Sequence, residues 1–254
     1  MAEKLSEKDI ENISIEGTEE HAVMPLRNTV LFPQQVIPIY IGREKSLKLI
    51  SDLESEKRKY IIVVAQEDGS VEDPIPEDLY SYGTLATVLK VFAMPDNSKS
   101  AIVQGISRVK ILDYVEKEPY FKAAVSTISD DPIGDDLELV GISDNLRKSF
   151  SDLIKVAPNL TEEHTGMLSN IQKPNRLVDR AISLMTLSNQ EKQGILEETN
   201  VKKRIEKAIS IINREIQRIK LGDEIQTEVH DEIAKTQREY YLREQMKAIQ
   251  KELG

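Results

Sequence analysis

Five isoleucines near the end of the chain, Ile205, Ile209, Ile212, Ile216 and Ile219, recur in alternating steps of four and three residues. That is the seam spacing of a coiled coil, in which one apolar stripe faces a neighbouring helix. Leu242, Met246, Ile249 and Leu253 repeat the same steps. Between the two sets, Gly222 interrupts and Ile225, Val229 and Ile233 follow at steps of four, a phase change that predicts a kink or stutter near Gly222-Asp223. A continuous helix from Lys203 to Leu253 would extend roughly 75 Å at 1.5 Å per residue. A chain of 254 residues has no core that wide, so part of the helix must protrude or dock on a partner.

The region before this helix has two textures. From about Ala22 to Ser129 the pattern is strand-like. Val36-Ile-Pro-Ile-Tyr-Ile41 and Tyr60-Ile-Ile-Val-Val-Ala65 are short β-branched runs, and Leu47, Ile50 and Leu53 mark the inner stripe of a helix over Arg43 to Glu56. Further strands are expected at Leu85 to Met94, Ala101 to Gln104, Val109 to Val115 and Phe121 to Ile128, separated by Gly83, Pro95-Asp-Asn-Ser98, Gly105 and Glu118-Pro119. Leu85 to Met94 is apolar on both faces, which suits a small barrel or strongly curled sheet. After the Pro, Gly and Asp-rich stretch Asp130 to Asp136 the pattern turns helical. Leu146, Phe150, Leu153 and Ala157 mark one helix, Leu177, Ala181 and Leu184 another, and Ser188-Asn-Gln-Glu191 fits a capping box that starts a third. The expected fold is α+β: an acidic tail over 1–20, a β-rich domain over 21–129, a linker over 130–136, a helical bundle over 137–200 and a long coiled-coil-like helix over 201–254.

Motifs for catalysis are missing. None of the eleven glycines is followed by lysine, which excludes a phosphate-binding loop of the Gly-Lys-Ser/Thr type, and no Gly-x-Ser-x-Gly elbow is present. The chain has no cysteine, and His21, His164 and His230 stand apart without metal-binding spacing. No metal ligand and no catalytic residue is therefore nominated. The acidic pairs Glu19-Glu20, Asp135-Asp136, Glu162-Glu163 and Glu197-Glu198 fall in tails, loops or polar helix faces, where nothing separates their pKa values for acid–base work. Residues 200–254 carry a net charge of +2 within a chain of −10, so residues 1–199 carry −12. An acidic body repels phosphate backbones and weighs against nucleic acid as a partner. The longest apolar runs, such as Tyr60 to Ala65, are far too short for a membrane span. Met1 to Glu20, with seven acids and two lysines, fits neither a secretory signal nor a mitochondrial presequence, so a bacterial-type cytoplasm is the expected location.

Two stretches carry a resemblance. Pro25-Leu-Arg-Asn-Thr-Val-Leu-Phe-Pro33, continuing through Val36-Ile-Pro-Ile39 to Gly42-Arg-Glu-Lys-Ser46, resembles the opening of the N-terminal domain of bacterial Lon-type ATP-dependent proteases. Gln237 to Gly254, QREYYLREQMKAIQKELG, is similar to the segment that directly precedes the Lon motor module, and weaker echoes lie at Gly105 to Val109 and Lys192 to Glu197. The resemblance implies a PUA-like β domain followed by the bundle and the long helix. It implies a role in capturing unfolded or degron-bearing proteins and in supporting a hexamer. The family's ATP and Mg sites and its Ser–Lys protease dyad would lie beyond Gly254, so no cofactor is expected within this chain.

A receptor for damaged proteins needs accessible apolar surface of its own. Candidate contact residues are Leu31, Phe32 and Pro33, between the first two strands, and Phe92, Met94 and Pro95, where a strand meets a turn. Tyr240, Tyr241 and Met246 on the long helix complete the set; the two tyrosines are neighbours, so one can pack along the seam while the other meets a partner. Leu31 and Phe92 read equally as core. Two other readings stand beside client capture. One makes the long helix chiefly an oligomerisation module, and the other takes the PUA-like fold literally as RNA-binding, against the acidic body and the lack of an aromatic–basic cluster.

Overall fold

The computed structural model describes residues 20–55, 60–131 and 137–254. Most of the expected acidic tail and linker, and the end of the first helix, lie outside them. The β-rich part contains β1 (Glu20–Leu26), β2 (Val36–Ile41), helix α1 (Glu44–Glu54), β3 (Tyr60–Ala65), β4 (Tyr82–Ala93), β5 (Lys99–Glu116) and β6 (Lys122–Ile128). The strand order is β2-β5-β4-β3-β1-β6, with β5 also paired to β6. Only β1 and β3 run parallel; the other pairs are antiparallel. The first part of β5 holds β2 and its second part holds β6. Strands β5, β4, β3, β1 and β6 thus close into a small barrel, and β2 adds to it as an edge strand.

Closure explains the apolar runs. Along β3, Ile61 and Val63 join a core with Leu49, Ile50 and Leu53 of α1, while Ile62 and Val64 enter a second core with Leu85, Val109 and Phe121. Successive strand residues point to opposite faces, so a strand buried on both sides needs apolar residues at every position. On α1 the buried positions are Ser46, Leu49, Ile50 and Leu53, with Leu47 at the margin.

Gly105, expected to separate two strands, instead lies inside the 18-residue β5. Ile106 is an extra residue there: Leu85 pairs with Ser107 and Ala86 with Gly105. A Cβ at Gly105 would stand 2.3 Å from the backbone oxygen of Phe32. The glycine is a point of close backbone approach beside a bulge, not a turn. Gly83 is likewise inside β4, with the Val63 oxygen 2.5 Å from its would-be Cβ.

The helical part comprises α2 (Leu137–Ile154), α3 (Glu162–Ser169), α4 (Pro174–Leu184), α5 (Asn189–Leu196) and α6 (Val201–Leu253). Ser188 forms the expected capping box: its hydroxyl accepts from Glu191 N at 3.3 Å, and the Glu191 carboxylate accepts from Ser188 N at 3.1 Å. Helix α3, not expected from the sequence, buries only Leu168. The bundle core is continuous with the barrel, because Val30, Phe32 and Ala65 pack into it with Phe150, Leu177 and Ile205.

A buried charge cluster reinforces this junction. Arg108 of β5 donates to Asp179 of α4 at 2.6 Å and to the Leu196 carbonyl at 2.9 Å. Arg204, at the base of α6, donates to the Glu198 carbonyl at 2.6 Å, to Asp179 at 3.4 Å and to Asp130. Burial would push the Asp130 carboxyl upward, but the Arg204 hydrogen bond and the charges of Arg108 and Arg204 outweigh it and hold the group below the ordinary aspartate range.

The last helix runs unbroken through Gly222 for 53 residues, about 80 Å at 1.5 Å per residue. One glycine costs only about 1 kcal/mol relative to alanine, too little to end so long a helix. Val201, Arg204, Ile205, Ala208 and Ile212 are buried against the bundle, and every residue from Leu221 onward is exposed.

Candidate functional site

A groove of about 570 Å³ separates the barrel from the bundle, and a neighbouring hollow of about 310 Å³ shares Pro33, Gln34, Lys173, Arg176 and Asp179 with it. One wall is the turn from Phe32 to Val36. Phe32 anchors it in the bundle core. Its N–H donates to the Gln35 side chain at 3.0 Å, and Gln35 N donates to the Phe32 carbonyl at 3.2 Å. Gln34 N donates to the Gly105 carbonyl, and Gly105 N to the Gln35 carbonyl, both at 2.9 Å. Gln34 itself has φ 63°, a left-handed conformation that non-glycine residues adopt only when their surroundings impose it. The absent side chain of Gly105 is what lets this turn sit against β5.

The opposite wall is the start of α4. Lys173 is its N-cap and Pro174 takes the first helical position, where the missing N–H costs nothing. Lys173, Arg176 and Arg180 follow at steps of three and four, which places them along one side of the helix, and all three line the groove. With its amide oriented to satisfy both groups, Gln34 accepts from Arg176 Nε at 2.8 Å and Nη2 at 2.9 Å, bridging the two walls.

From Val36 the surface continues onto the outer face of β2, β5 and β4. Tyr40 pairs with Ser100, which pairs in turn with Phe92; Pro38 pairs with Ile102, and Ile102 with Lys90. Cross-strand partners share a face, as do residues two apart, so Val36, Pro38, Tyr40, Ile102 and Phe92 form one outward surface. Tyr40 is 68% exposed, Phe92 38% and Met94 42%. The Tyr40 hydroxyl donates to Asp96 at 3.2 Å, and Lys90 Nζ lies 4.7 Å from the centre of the Phe92 ring.

The structure sorts the residues proposed from sequence. Leu31 and Phe32 are 2% and 1% exposed. They are corrected from contact residues to core: Leu31 packs in the barrel and Phe32 in the bundle, so neither has surface to offer. Pro33 lines the groove, and Phe92, Met94 and Pro95 lie exposed on the outer face and its hairpin. Tyr240, Tyr241 and Met246 are exposed on the free half of α6 and are not brought into this surface; Gln245 donates to the Tyr241 hydroxyl at 2.9 Å. Val36, Pro38, Tyr40, Lys173, Arg176 and Arg180 were passed over. The alternation in Val36 to Ile41 and the three-and-four spacing of the cations were the available signals, and a proline inside a strand marks an edge.

Ser107 and Lys110 have the spacing of a Ser-x-x-Lys nucleophile motif, but both lie on β5, where residues three apart point to opposite faces. Among the described residues no group of three or more His, Cys, Asp or Glu is placed to hold a metal ion, and no helix is long and apolar enough to cross a membrane.

Comparison with known proteins adds the lineage. Residues 20–214 match the family model of the ATP-dependent protease La (LON) substrate-binding domain. The chain is 40% identical over 232 residues to the Lon protease of Dictyoglomus thermophilum, covering 91% of this chain and 29% of that protein. It is 42% identical over 233 residues to the Lon protease of Koribacter versatilis, covering 91% and 28%. The chain thus spans under a third of the length of these relatives. Its fold is similar to the N-terminal domain of Mycobacterium avium complex Lon protease, with TM-score 0.61 and 19% identity over 77% of this chain and 98% of that one. A Lon N-terminal domain protein from Xanthomonas campestris gives TM-score 0.54 and 17% identity over 76% and 98%. The chain belongs to the Lon protease family and carries its substrate-binding domain.

Proposed function

We propose that this chain recognises unfolded or degron-bearing proteins through the apolar face and the groove, and passes them to a motor and protease that lie outside it. ATP, Mg and the Ser–Lys dyad belong to those other parts, and the working assembly is a hexamer in the cytoplasm. The observation that carries the reading is the row Val36, Tyr40, Phe92 and Met94, exposed together on the outer face of β2 and β4 and the turn that follows; in the other barrel strands Leu112 and Val115 of β5 are the exposed large apolar residues. At ~25 cal/mol per Å², an apolar patch of about 300–400 Å² offers several kcal/mol before the costs of association. Capture is then weak, promiscuous and quickly reversed, as transfer to a motor requires.

The double variant Phe92→Ser/Met94→Ser tests this. Affinity for a denatured, fluorescently labelled client should fall roughly tenfold, the equivalent of about 1.4 kcal/mol, with an unchanged circular dichroism spectrum. Undiminished affinity in the folded double variant would remove this face from the account.

The exposed apolar residues of α6, from Leu221 to Leu253, favour a second reading in which the helix mainly joins protomers. Light scattering on the full chain and on a chain ending at Lys220 separates the two. The cut falls there because Val201 to Ile212 belong to the bundle core. Monomers in both cases would defeat assembly through this helix alone.

A further inference from the structure

We infer that clients join the barrel as an added strand, pairing backbone to backbone with the free edge of β2. The inference rests on reading the apolar face as the client-binding surface. It adds the conformation in which a client is held: extended, with apolar side chains at alternate positions.

Every described strand of the sheet has at least two partners except β2, which pairs with β5 alone. Which of its backbone groups are spare follows from β5. Gly105 N donates to the Gln35 carbonyl, and the Gly105 carbonyl accepts from Gln34 N, so both groups of Gly105 face the β2 side. From Gly105 back to Lys99, β5 pairs without an extra residue of its own. Backbone direction alternates along a strand, so Val103, Ala101 and Lys99 also face β2 and bond with Ile37, Ile39 and Ile41. Val36, Pro38 and Tyr40 therefore turn their groups outward. Val36 and Tyr40 each offer an N–H and a carbonyl, and Pro38, which has no N–H, offers a carbonyl. None of the three has another backbone partner among the described residues.

Proteins usually blunt such an edge with charges, brevity or a bulge. Strand β2 has six residues, no charged side chain and an unbroken register with β5. Pro38 is a guard, and a selective one. Two copies of β2 paired about a twofold axis at Pro38 would set carbonyl against carbonyl with no N–H between them. An ordinary residue opposite Pro38 forgoes one bond and leaves the others intact. The edge thus discourages a second copy and accepts a different chain. Val36 and Tyr40 also carry exposed side chains of the apolar face. An antiparallel client strand sets the residues opposite them on that same face. Backbone bonds can then hold any extended sequence, while alternate apolar side chains select among sequences. Such a division suits a general receptor, because unfolded clients have a backbone in common and little else.

The test uses the full chain and a short labelled peptide that alternates valine with threonine. Three forms are compared: unmodified, N-methylated at every valine, and N-methylated at every threonine. All three keep the same side chains, and each methylated form loses the N–H groups of one edge. Fluorescence anisotropy should show one methylated form binding at least about tenfold more weakly and the other within about twofold of the unmodified peptide. Hydrogen exchange at the Val36 and Tyr40 amides should slow when the unmodified peptide binds, with Ile37, Ile39 and Ile41 already slow without it. Val36→Pro removes one outward N–H and no inward one. It should weaken binding about fivefold in a protein whose melting curve shows it folded, and Val36→Thr, which keeps the N–H, less than about twofold. Equal losses in both methylated forms, unslowed Val36 and Tyr40 amides at saturating peptide, or full binding by Val36→Pro would overturn the inference while client capture stands. If the unmodified peptide fails to bind up to millimolar concentration, both fail together. Slowing of the same two amides by raised protein concentration alone would assign the edge to a second copy and overturn the inference as well.

Discussion

The two halves of α6 share a helix and almost nothing else. Val201, Ile205, Ala208 and Ile212 are buried against the bundle, and Ile209, Ile211, Ile216 and Ile219 pack at its margin. From Leu221 onward Ile225, Val229, Ile233, Leu242, Met246 and Ile249 are each at least half exposed. The first half is held by tertiary contacts and by Arg204 in the buried cluster; the second has only local support, such as the Lys247–Glu244 pair at 2.7 Å. Exposed pairs of this kind contribute about 0.3–0.5 kcal/mol, and helices in proteins owe most of their stability to packing. The same kind of sequence pattern therefore serves two purposes. Near the body it completes a core, and beyond it the helix extends as a stalk whose apolar stripe has no partner within the described chain. At steps of four that stripe shifts about 40° per step, then returns to the four-and-three rhythm after Leu242, so it does not form one straight seam.

The sharpest way to break the comparison is to attack the junction. Arg204→Ala removes one of the two cations shared by Asp130 and Asp179 and leaves Arg108 alone against both acids inside the protein, and removing one partner of a buried ionic group costs about 3–5 kcal/mol. Urea denaturation should show a loss of that size; a change below about 1 kcal/mol would mean that the cluster does not tie the stalk to the body. Gly105→Ala should cost less, about 1–3 kcal/mol as for other forced overpacking. Because the clash is with the Phe32 backbone, the groove turn should loosen too, which amide hydrogen exchange at Gln34 and Gln35 would report. The smallest effect is expected on the stalk. Ile225→Ser/Ile233→Ser should leave the unfolding midpoint of the body within about 0.5 kcal/mol, and a larger shift would show that the distal helix packs on something after all.

Local signals in the sequence were good guides. The β-branched runs at Val36 and Tyr60 are strands β2 and β3, the Ser188 capping box starts α5, and the isoleucine spacing marks the 53-residue helix α6, exposed throughout from Leu221. What escaped depends on distant partners. Gly105 looked like a turn because the nearby Phe32 carbonyl, more than 70 residues away in sequence, is not visible locally. Leu31 and Phe32 looked like an exposed loop because the bundle that covers Phe32 begins over a hundred residues later. Arg108 and Asp179 are 71 residues apart, and Arg108 and the Leu196 carbonyl 88. The apolar face was half legible: Phe92, Met94 and Pro95 were visible as a strand meeting a turn, while Tyr40 and Val36 joined them only through pairing with β5.

Whether clients are met by the body or by the stalk can be read directly. A photocrosslinking amino acid is placed at Phe92 in one protein and at Ile225 in another, and each is illuminated with the same unfolded, labelled client. The account predicts strong adducts from position 92, suppressed by an apolar competitor peptide, and only background from position 225. Adducts mainly from position 225, with position 92 silent in a folded protein, would contradict it.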